Sequence, residues 1–373
     1  MDKSLRVLEP HQSELENCAF CPKLCRHSCP VSTVEGRETT TPWGKMTPLH
    51  HALRDELPAT LVYAEGSYAC TGCLRCTEYC DHGNQPYDAL AAGRAVLFER
   101  GEAHPAVKSL IQGFEERKAR IAERAVELFG GDASARLSET VYVPGCSACL
   151  SLPSAAEDGA KLVEALVGGP VRIVASSCCG QPLYDAGDRE GARDARRQFI
   201  SRIGPAKRVI AHDPACILAL FRDEEDKEAL PFELLHLTEF AAEHLERFKR
   251  LDVERLEGQV FRYHDACRLG RGLGVYDEPR ALLGRIVGKS PEEFHHNRAL
   301  AECSGAGGLL PLTSPETAKA IADERILDHQ AMGGGNLVTA CPASASKLKE
   351  RSGSVSVHEL SSLLLSALED PRK

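Results

Sequence analysis

Eight cysteines stand within the first eighty residues in two tight runs, and no other feature limits the possible folds as strongly. CAFCPKLCRHSCP places Cys18, Cys21, Cys25 and Cys29 at C-x2-C-x3-C-x3-C-P, and CTGCLRCTEYC places Cys70, Cys73, Cys76 and Cys80 at C-x2-C-x2-C-x3-C. Thiols this clustered are not scattered small hydrophobes. A C-x2-C loop can wrap a metal centre sulfur by sulfur, with its backbone N–H groups facing the centre, and thiolates suit soft sites such as iron–sulfur or zinc. The chain of 373 residues holds 16 cysteines in all. A start without the apolar core of a secretory signal, and no run of about 18 apolar residues, lead us to expect a cytoplasmic chain without a membrane span. In a reducing cytoplasm these cysteines are not expected to form disulfides. The net charge of -9 argues against nucleic acid as the main partner.

The second run resembles the two-cluster ferredoxin spacing, in which the fourth cysteine of each run ligates the other cluster. That resemblance implies two [4Fe-4S] clusters: one on Cys18, Cys21, Cys25 and Cys80, the other on Cys70, Cys73, Cys76 and Cys29. The sequence departs from the pattern twice. An extra residue lies between Cys21 and Cys25, and Asp81-His82 follows Cys80 where proline is usual. The rival reading is a pair of zinc knuckles, although zinc sites commonly draw on cysteine pairs separated by longer gaps. His27 and His82 stand beside these cysteines, either as solvated loop residues or as groups that tune a cluster.

Beyond residue 138 the grammar changes to short apolar runs alternating with helical patterns, which predicts parallel βα units. Strands are expected in 141–146, 171–180, 207–216, 259–267 and 336–344, and helices in 154–168, 187–203, 278–288 and 314–330. Ser154 and Ser314 are expected to open their helices. The segment 293–305 is read as strand or loop. A helix over 109–130 is expected to connect the two regions and to stop at Gly130. The pattern also repeats: 37 residues separate Cys178 from Cys216, and 37 separate Cys303 from Cys341. An internal duplication accounts for this. The expected divisions are 1–100, a two-cluster module; 101–137, a connecting segment; 138–252, a first cysteine-rich repeat; and 253–373, a second, degenerate one. The fold class is thus an α+β, mainly helical ferredoxin-like module followed by duplicated α/β units.

Each repeat has a cysteine turn of its own. ASSCCGQP carries Cys178, Cys179 and Gly180, and AECSGAGG carries Cys303, Ser304 and Gly305. Adjacent cysteines on a strand point to opposite faces, whereas a turn with glycine can aim both at one centre. With Cys146 and Cys216 in the first half, and Cys267 and Cys341 in the second, the spacing resembles the cysteine-rich CCG domain. That domain occurs in heterodisulfide reductase and, behind a two-cluster module, in iron–sulfur subunits of glycolate oxidase, anaerobic glycerol-3-phosphate dehydrogenase and lactate-utilisation complexes. The family's full repeat ends in C-x2-C. By cysteine spacing, the first repeat ends Cys216-Ile217-Leu218-Ala219 and lacks its last ligand, and the second has Ser344 in that place.

The resemblance implies iron bound through Cys146, Cys178, Cys179, Cys216, Cys267, Cys303 and Cys341, with room for one further iron–sulfur cluster, cubane or non-cubane. Cys149 is a substitute ligand or a buried thiol. His212-Asp213 and His264-Asp265 are caps or polar partners of the cysteines. The glycine runs 269–274 and 305–310 lack nucleotide-loop layouts, and close backbone packing is expected there. The resemblance implies an electron-transfer subunit working between a flavoprotein dehydrogenase and a quinone or other carrier; the chain is expected in the cytoplasm, with the inner face of the cytoplasmic membrane as the alternative place. The alternatives are a thiol–disulfide reductase with its active site in the CCG region, and a zinc-stabilised interaction protein.

Overall fold

The computed structural model describes residues 3–131, 133–221, 230–252 and 259–368. The chain divides into two compact units. The first holds Met1–Phe114, Gly180–Arg193 and Glu302–Glu324, and the second holds Glu115–Cys179, Asp194–Ala301 and Arg325–Lys373. Contacts therefore group 180–193 and 302–324, which the sequence places inside the two repeats, with the N-terminal helices.

The first unit is helical. Pro42 opens the helix Pro42–Leu53, and Thr41 Oγ1 caps it by accepting from Gly44 N at 3.1 Å. Proline suits the first helical position because its missing N–H would be unpaired there anyway. Pro86 likewise opens Pro86–Glu99, whose alanine-rich stretch is buried. At Gly93 a Cβ would come within 2.7 Å of the Leu49 side chain, so glycine allows these two helices their close approach. Leu8, Leu15, Met46, Leu90 and Leu97 fill this core together with Ala186 from the later segment. Within it, Arg94 is completely buried; it donates to Ser67 O at 3.0 Å and lies 3.6 Å from Asp185 Oδ1.

The second unit contains two parallel sheets, as the βα grammar predicts. Strands β1 (Thr140–Val143), β2 (Arg172–Ile173), β3 (Arg208–Ala211) and β4 (Glu233–His236) form one sheet in the order β2-β1-β3-β4. Strands β5 (Phe261–Tyr263), β6 (Asn336–Thr339) and β7 (Ser356–Glu359) form the other in the order β5-β6-β7. Val141, Val143, Val209 and Ala211 enter one apolar cluster with Phe199 and Ile217, while Tyr142, Ile210, Tyr263 and Val338 enter another. The strand residues thus alternate between faces, as a pleated strand requires.

Several local expectations change. The segment 109–130 is two helices, Pro105–Gln112 and Phe114–Phe129, separated at Gly113, and Ile121 is fully buried. The second helix does stop at Gly130, at φ +81°. Ser154 opens nothing: the helix runs Pro153–Val167 with Pro153 in its first turn and no side-chain cap. The segment 293–305 is loop with one short turn, Arg298–Leu300, and just before it Glu292 makes a single parallel bridge to Arg262. Strands β4 and β7 were not anticipated. No helix among the described residues is long and apolar enough to cross a membrane.

Candidate functional site

In the first unit the two cysteine runs interleave. Burial pushes the Cys25 thiol up to about 12, and the charges of Cys18, Cys80 and Cys21 add to that. Cys18 rises to about 11, again chiefly by burial, while a hydrogen bond from Asn84 Nδ2 at 3.3 Å favours its thiolate. These four cysteines, Cys80 from the second run among them, line one small hollow together with Trp43, Tyr79 and His82. Among the described residues no three His, Cys, Asp or Glu side chains are placed to hold one metal ion. Cys80 of the second run thus joins three cysteines of the first, the exchange that two-cluster ferredoxins make. His27 packs edge-on against Tyr79 at 4.7 Å.

The complementary group is Cys29, Cys70, Cys73 and Cys76. Burial raises the Cys76 thiol well above its ordinary range, and the charges of Cys73, Cys70 and Cys29 raise it further. Facing them is Lys45, 2 % exposed, whose Nζ donates to Cys29 Sγ at 3.2 Å. Burial opposes the lysine's charge, but Cys29, Cys70 and Cys76 outweigh it and hold the ammonium above its usual range. Gly72 N points at Cys70 Sγ at 3.3 Å, the backbone arrangement expected of such a loop. The loop is backed by the later segment of the same unit. Gly307 and Gly308 press against the backbone of Cys70 and Thr71, leaving no room for a Cβ. Arg75 bonds Ser28 O at 3.3 Å and pairs with Glu302 at 2.7 Å. The glycine run 305–310 therefore serves close packing, as expected. Lys45, Asn84 and Arg75 carried no signal in the linear sequence.

The second unit brings Cys146, Cys178, Cys179 and Cys216 together. A hydrogen bond to Cys178 and burial raise Cys146 well above its ordinary range. Cys179 is bonded to Cys178, which favours its thiolate, but its bond to Cys216 and burial prevail and raise it strongly. Arg117 Nη2 lies 3.6 Å from Cys146 Sγ. Both turn glycines have a physical reason. Gly180 has φ +86° and Gly305 φ +79°, and a Cβ at either would stand 2.5 Å from a backbone oxygen, of Ala192 and of Ala318 respectively. Each of those alanines is the fourth residue of its helix, Arg189–Ile203 or Pro315–Ala331.

The structure corrects the pairing of the repeats. Strand β3 ends at Ala211 and its helix opens at Pro214; strand β6 ends at Thr339 and its helix opens at Pro342. The match is therefore Asp213 with Cys341 and Cys216 with Ser344. The equal spacings of 37 compared unlike positions. They agree because the second repeat is longer by one residue before its helix and by two within it, 17 against 15. The first repeat thus keeps the second member of a C-x2-C pair and has aspartate at the first. The second repeat keeps the first and has serine at the second.

The remaining residues take separate places. Cys303 lies in the first unit, buried, with Gly305 N donating to its sulfur at 3.3 Å. Cys267 and Cys341 lie in the second unit, where burial pushes Cys341 up to about 12 and Asp213, Cys267 and Ser344 stand near it. Cys149 is fully buried in the apolar cluster of Tyr142 and Ala156, the position of a core thiol. His212 is no cap: Tyr142 Oη lies 2.9 Å from its Nδ1 and Glu359 Oε1 3.1 Å from its Nε2. Asp265 accepts two bonds from Arg280 at 2.8 Å and one from Arg298 N.

The comparisons match the two cysteine-rich regions in chain order. A 4Fe-4S dicluster domain matches residues 14–84, and a cysteine-rich CCG domain matches twice, at 140–221 and 261–349. The chain is a dicluster–CCG iron–sulfur protein. It is 26 % identical, over 88 % of its length and 87 % of the relative's, to one subunit of the dihydromethanophenazine:CoB–CoM heterodisulfide reductase of Methanosarcina barkeri. It is 27 % identical to one subunit of the fumarate reductase (CoM/CoB) of Methanothermobacter marburgensis, over 96 % of this chain and 73 % of the other. To lactate utilization protein A of Oceanobacillus iheyensis it is 28 % identical over 48 % of this chain and 75 % of the other. The dicluster–CCG architecture carries two [4Fe-4S] clusters and supports a further cluster in the CCG region.

Proposed function

We propose that this dicluster–CCG protein is the electron-transferring subunit of an oxidoreductase complex, taking electrons from a flavoprotein dehydrogenase of the glycolate, lactate or glycerol-3-phosphate type and delivering them to a quinone or another carrier. Its place is the cytoplasm, at the inner face of the membrane. One observation carries the reading: the two interleaved thiol groups, each assembled from both cysteine runs. Iron–sulfur clusters supply one-electron chemistry where they are bound. The ligand sets would be Cys18, Cys21, Cys25 and Cys80, and Cys70, Cys73, Cys76 and Cys29. The chain aims Asn84 at the Cys18 sulfur and Lys45 at the Cys29 sulfur. Such second contacts orient the ligands and tune the centre. No flavin or nicotinamide fingerprint is evident in the sequence, so the hydride-handling cofactor is assigned to a partner.

Anaerobically purified protein is expected to contain on the order of eight iron and eight sulfide for the dicluster module alone, the content of two [4Fe-4S] clusters. Stoichiometric zinc with fewer than two clusters would falsify the reading. Affinity isolation of the tagged chain from its host is expected to bring down a flavin-bearing protein; isolation without flavin removes the proposed donor. A second reading, disulfide reduction in the CCG region, draws on the heterodisulfide reductase relative. Turnover of a small disulfide by the isolated chain with an artificial donor, abolished by Cys179→Ala, would favour it.

A further inference from the structure

We infer that Glu359, at the end of the last strand of the second repeat, is a positioning residue for the cluster of the first repeat: it holds the His212 ring, and His212 fixes the two strand ends that lead to Cys146 and Cys216. The inference rests on the reading that Cys146, Cys178, Cys179 and Cys216 hold a cluster. It gives the degenerate repeat a role that needs no full ligand set.

His212 stands directly after β3, and each of its polar groups is engaged. Its N donates to Val143 O at 2.9 Å, and its O accepts from His236 Nε2 at 2.9 Å. Its Nδ1 lies 2.9 Å from Tyr142 Oη, and its Nε2 lies 3.1 Å from Glu359 Oε1. Tyr142 and Val143 belong to β1, which leads through Gly145 to Cys146 at the start of the helix Cys146–Ser151. His212 itself leads into the helix Pro214–Phe221, which carries Cys216. One ring therefore ties together the ends of β1 and β3.

The surroundings of the ring supply an independent argument. His212 is 1 % exposed and Glu359 3 %. Burial opposes the Glu359 charge, but His212 and Ser361 outweigh it and hold the carboxyl below its ordinary range. Buried charges are normally paired. Gly159, on the helix Pro153–Val167, leaves space for the contact: a Cβ there would collide with Tyr142 Oη and stand 2.9 Å from His212 Nδ1. Glu359 and His236 also occupy equivalent places. Each ends an edge strand, Glu359 opposite Thr339 and His236 opposite Ala211. Each caps the helix that follows, accepting from Ser361 N at 2.8 Å and from Thr238 N at 3.1 Å. Both repeats thus bring the same position to bear on His212, one on its carbonyl and one on its ring.

The simpler role of Glu359 is that cap alone. Aspartate is among the best capping residues, so Glu359→Asp keeps the cap and the charge while its shorter side chain withdraws from His212. Tyr142→Phe releases the ring on its other side. The test is iron content and low-temperature paramagnetic resonance of the anaerobically purified full chain. In E359D the signal assigned to the CCG cluster, defined by its loss in Cys179→Ser, is expected to shift or broaden with the iron content retained. The two dicluster signals stay unchanged. Y142F is expected to alter the same signal, and the double variant to differ from the sum of the singles, because both act through one ring. An unchanged CCG signal in E359D overturns the inference and leaves Glu359 a cap; if E359D does not fold, an unchanged signal in a folded Y142F does the same. A wild-type protein with no signal beyond the dicluster pair overturns the underlying reading of the thiol group, and the inference with it.

Discussion

A buried lysine distinguishes the two thiol groups of the dicluster module. Lys45 faces Cys29, Cys70 and Cys76, whereas Cys18 receives the neutral amide of Asn84. Reduction adds a negative charge to a cluster, and a nearby ammonium favours the reduced form. At an effective dielectric of about 20 and a few ångströms, one charge is worth several kcal/mol. Partial screening by the other ligands still leaves a tenfold change in the equilibrium, about 59 mV for one electron. Lys45→Met is therefore expected to lower the midpoint potential of one cluster by at least about 60 mV and leave the other in place, read by redox titration with paramagnetic resonance. Lys45→Arg should stay near the wild type. Equal shifts in both clusters, or none, would refute the assignment. Nothing in the sequence pointed to Lys45, because it lies 16 residues from Cys29 and meets it only through the fold. The cysteines themselves were legible, since C-x2-C spacing is a local signal.

At the level of elements, the βα alternation was readable because apolar runs and helical periodicity are local. Strands β4 and β7 were missed. Their sequences, ELLH and SVHE, are short and only partly buried, so neither shows an apolar run. The register of the repeats was misread for a different reason: cysteine spacing was counted, whereas the fold conserves strand ends and helix-opening prolines. The junction after β4 also makes a definite pH prediction. His236 Nδ1 accepts from Thr238 N at 3.1 Å, and its Nε2 is 2.9 Å from His212 O, to which it donates. This pattern requires the neutral ring, because a protonated Nδ1 could not accept. Burial accordingly lowers His236 to about 3, with the charge of His212 assisting, and burial likewise lowers His264 to about 3. Both rings take up a proton on unfolding below about 6.5, their ordinary value. The unfolded state then binds more protons, so stability is full above that pH and falls as the pH drops toward 3. The loss is about 1.4 kcal/mol per pH unit for each histidine. Urea unfolding between pH 7 and 5 is expected to show a falling midpoint that His236→Asn reduces in slope. A midpoint independent of pH across that range would contradict the neutral-ring assignment.

The whole molecule does not divide where its sequence motifs divide. The dicluster match ends at residue 84, yet the unit that contains it takes in Gly180–Arg193 and Glu302–Glu324, the segments that follow the two cysteine turns. These segments complete the unit. Ala186 enters its core, Tyr68 Oη donates to Ala186 O at 3.1 Å, and Thr313 Oγ1 donates to Tyr68 O at 3.2 Å. Most telling is Arg94, fully buried on the helix Pro86–Glu99, whose facing carboxylate Asp185 comes from the later segment. Burial opposes the Arg94 charge, and Asp185 is the largest contribution holding it above its ordinary range. Removing one partner of a buried pair typically costs about 3–5 kcal/mol, because the other charge is left uncompensated. A fragment of residues 1–114 keeps all eight N-terminal cysteines but loses Asp185, the Ala186 contact and the glycine backing of the Cys70 loop. Such a fragment is expected to bind iron poorly and to be degraded by protease under conditions that leave the full chain intact. Asp185→Ala in the full chain isolates the electrostatic part and is expected to lower unfolding free energy by about 3–5 kcal/mol in denaturant titration. A 1–114 fragment with a full complement of two clusters and wild-type protease resistance would show instead that the dicluster module is autonomous, with the two inserted segments merely resting on it.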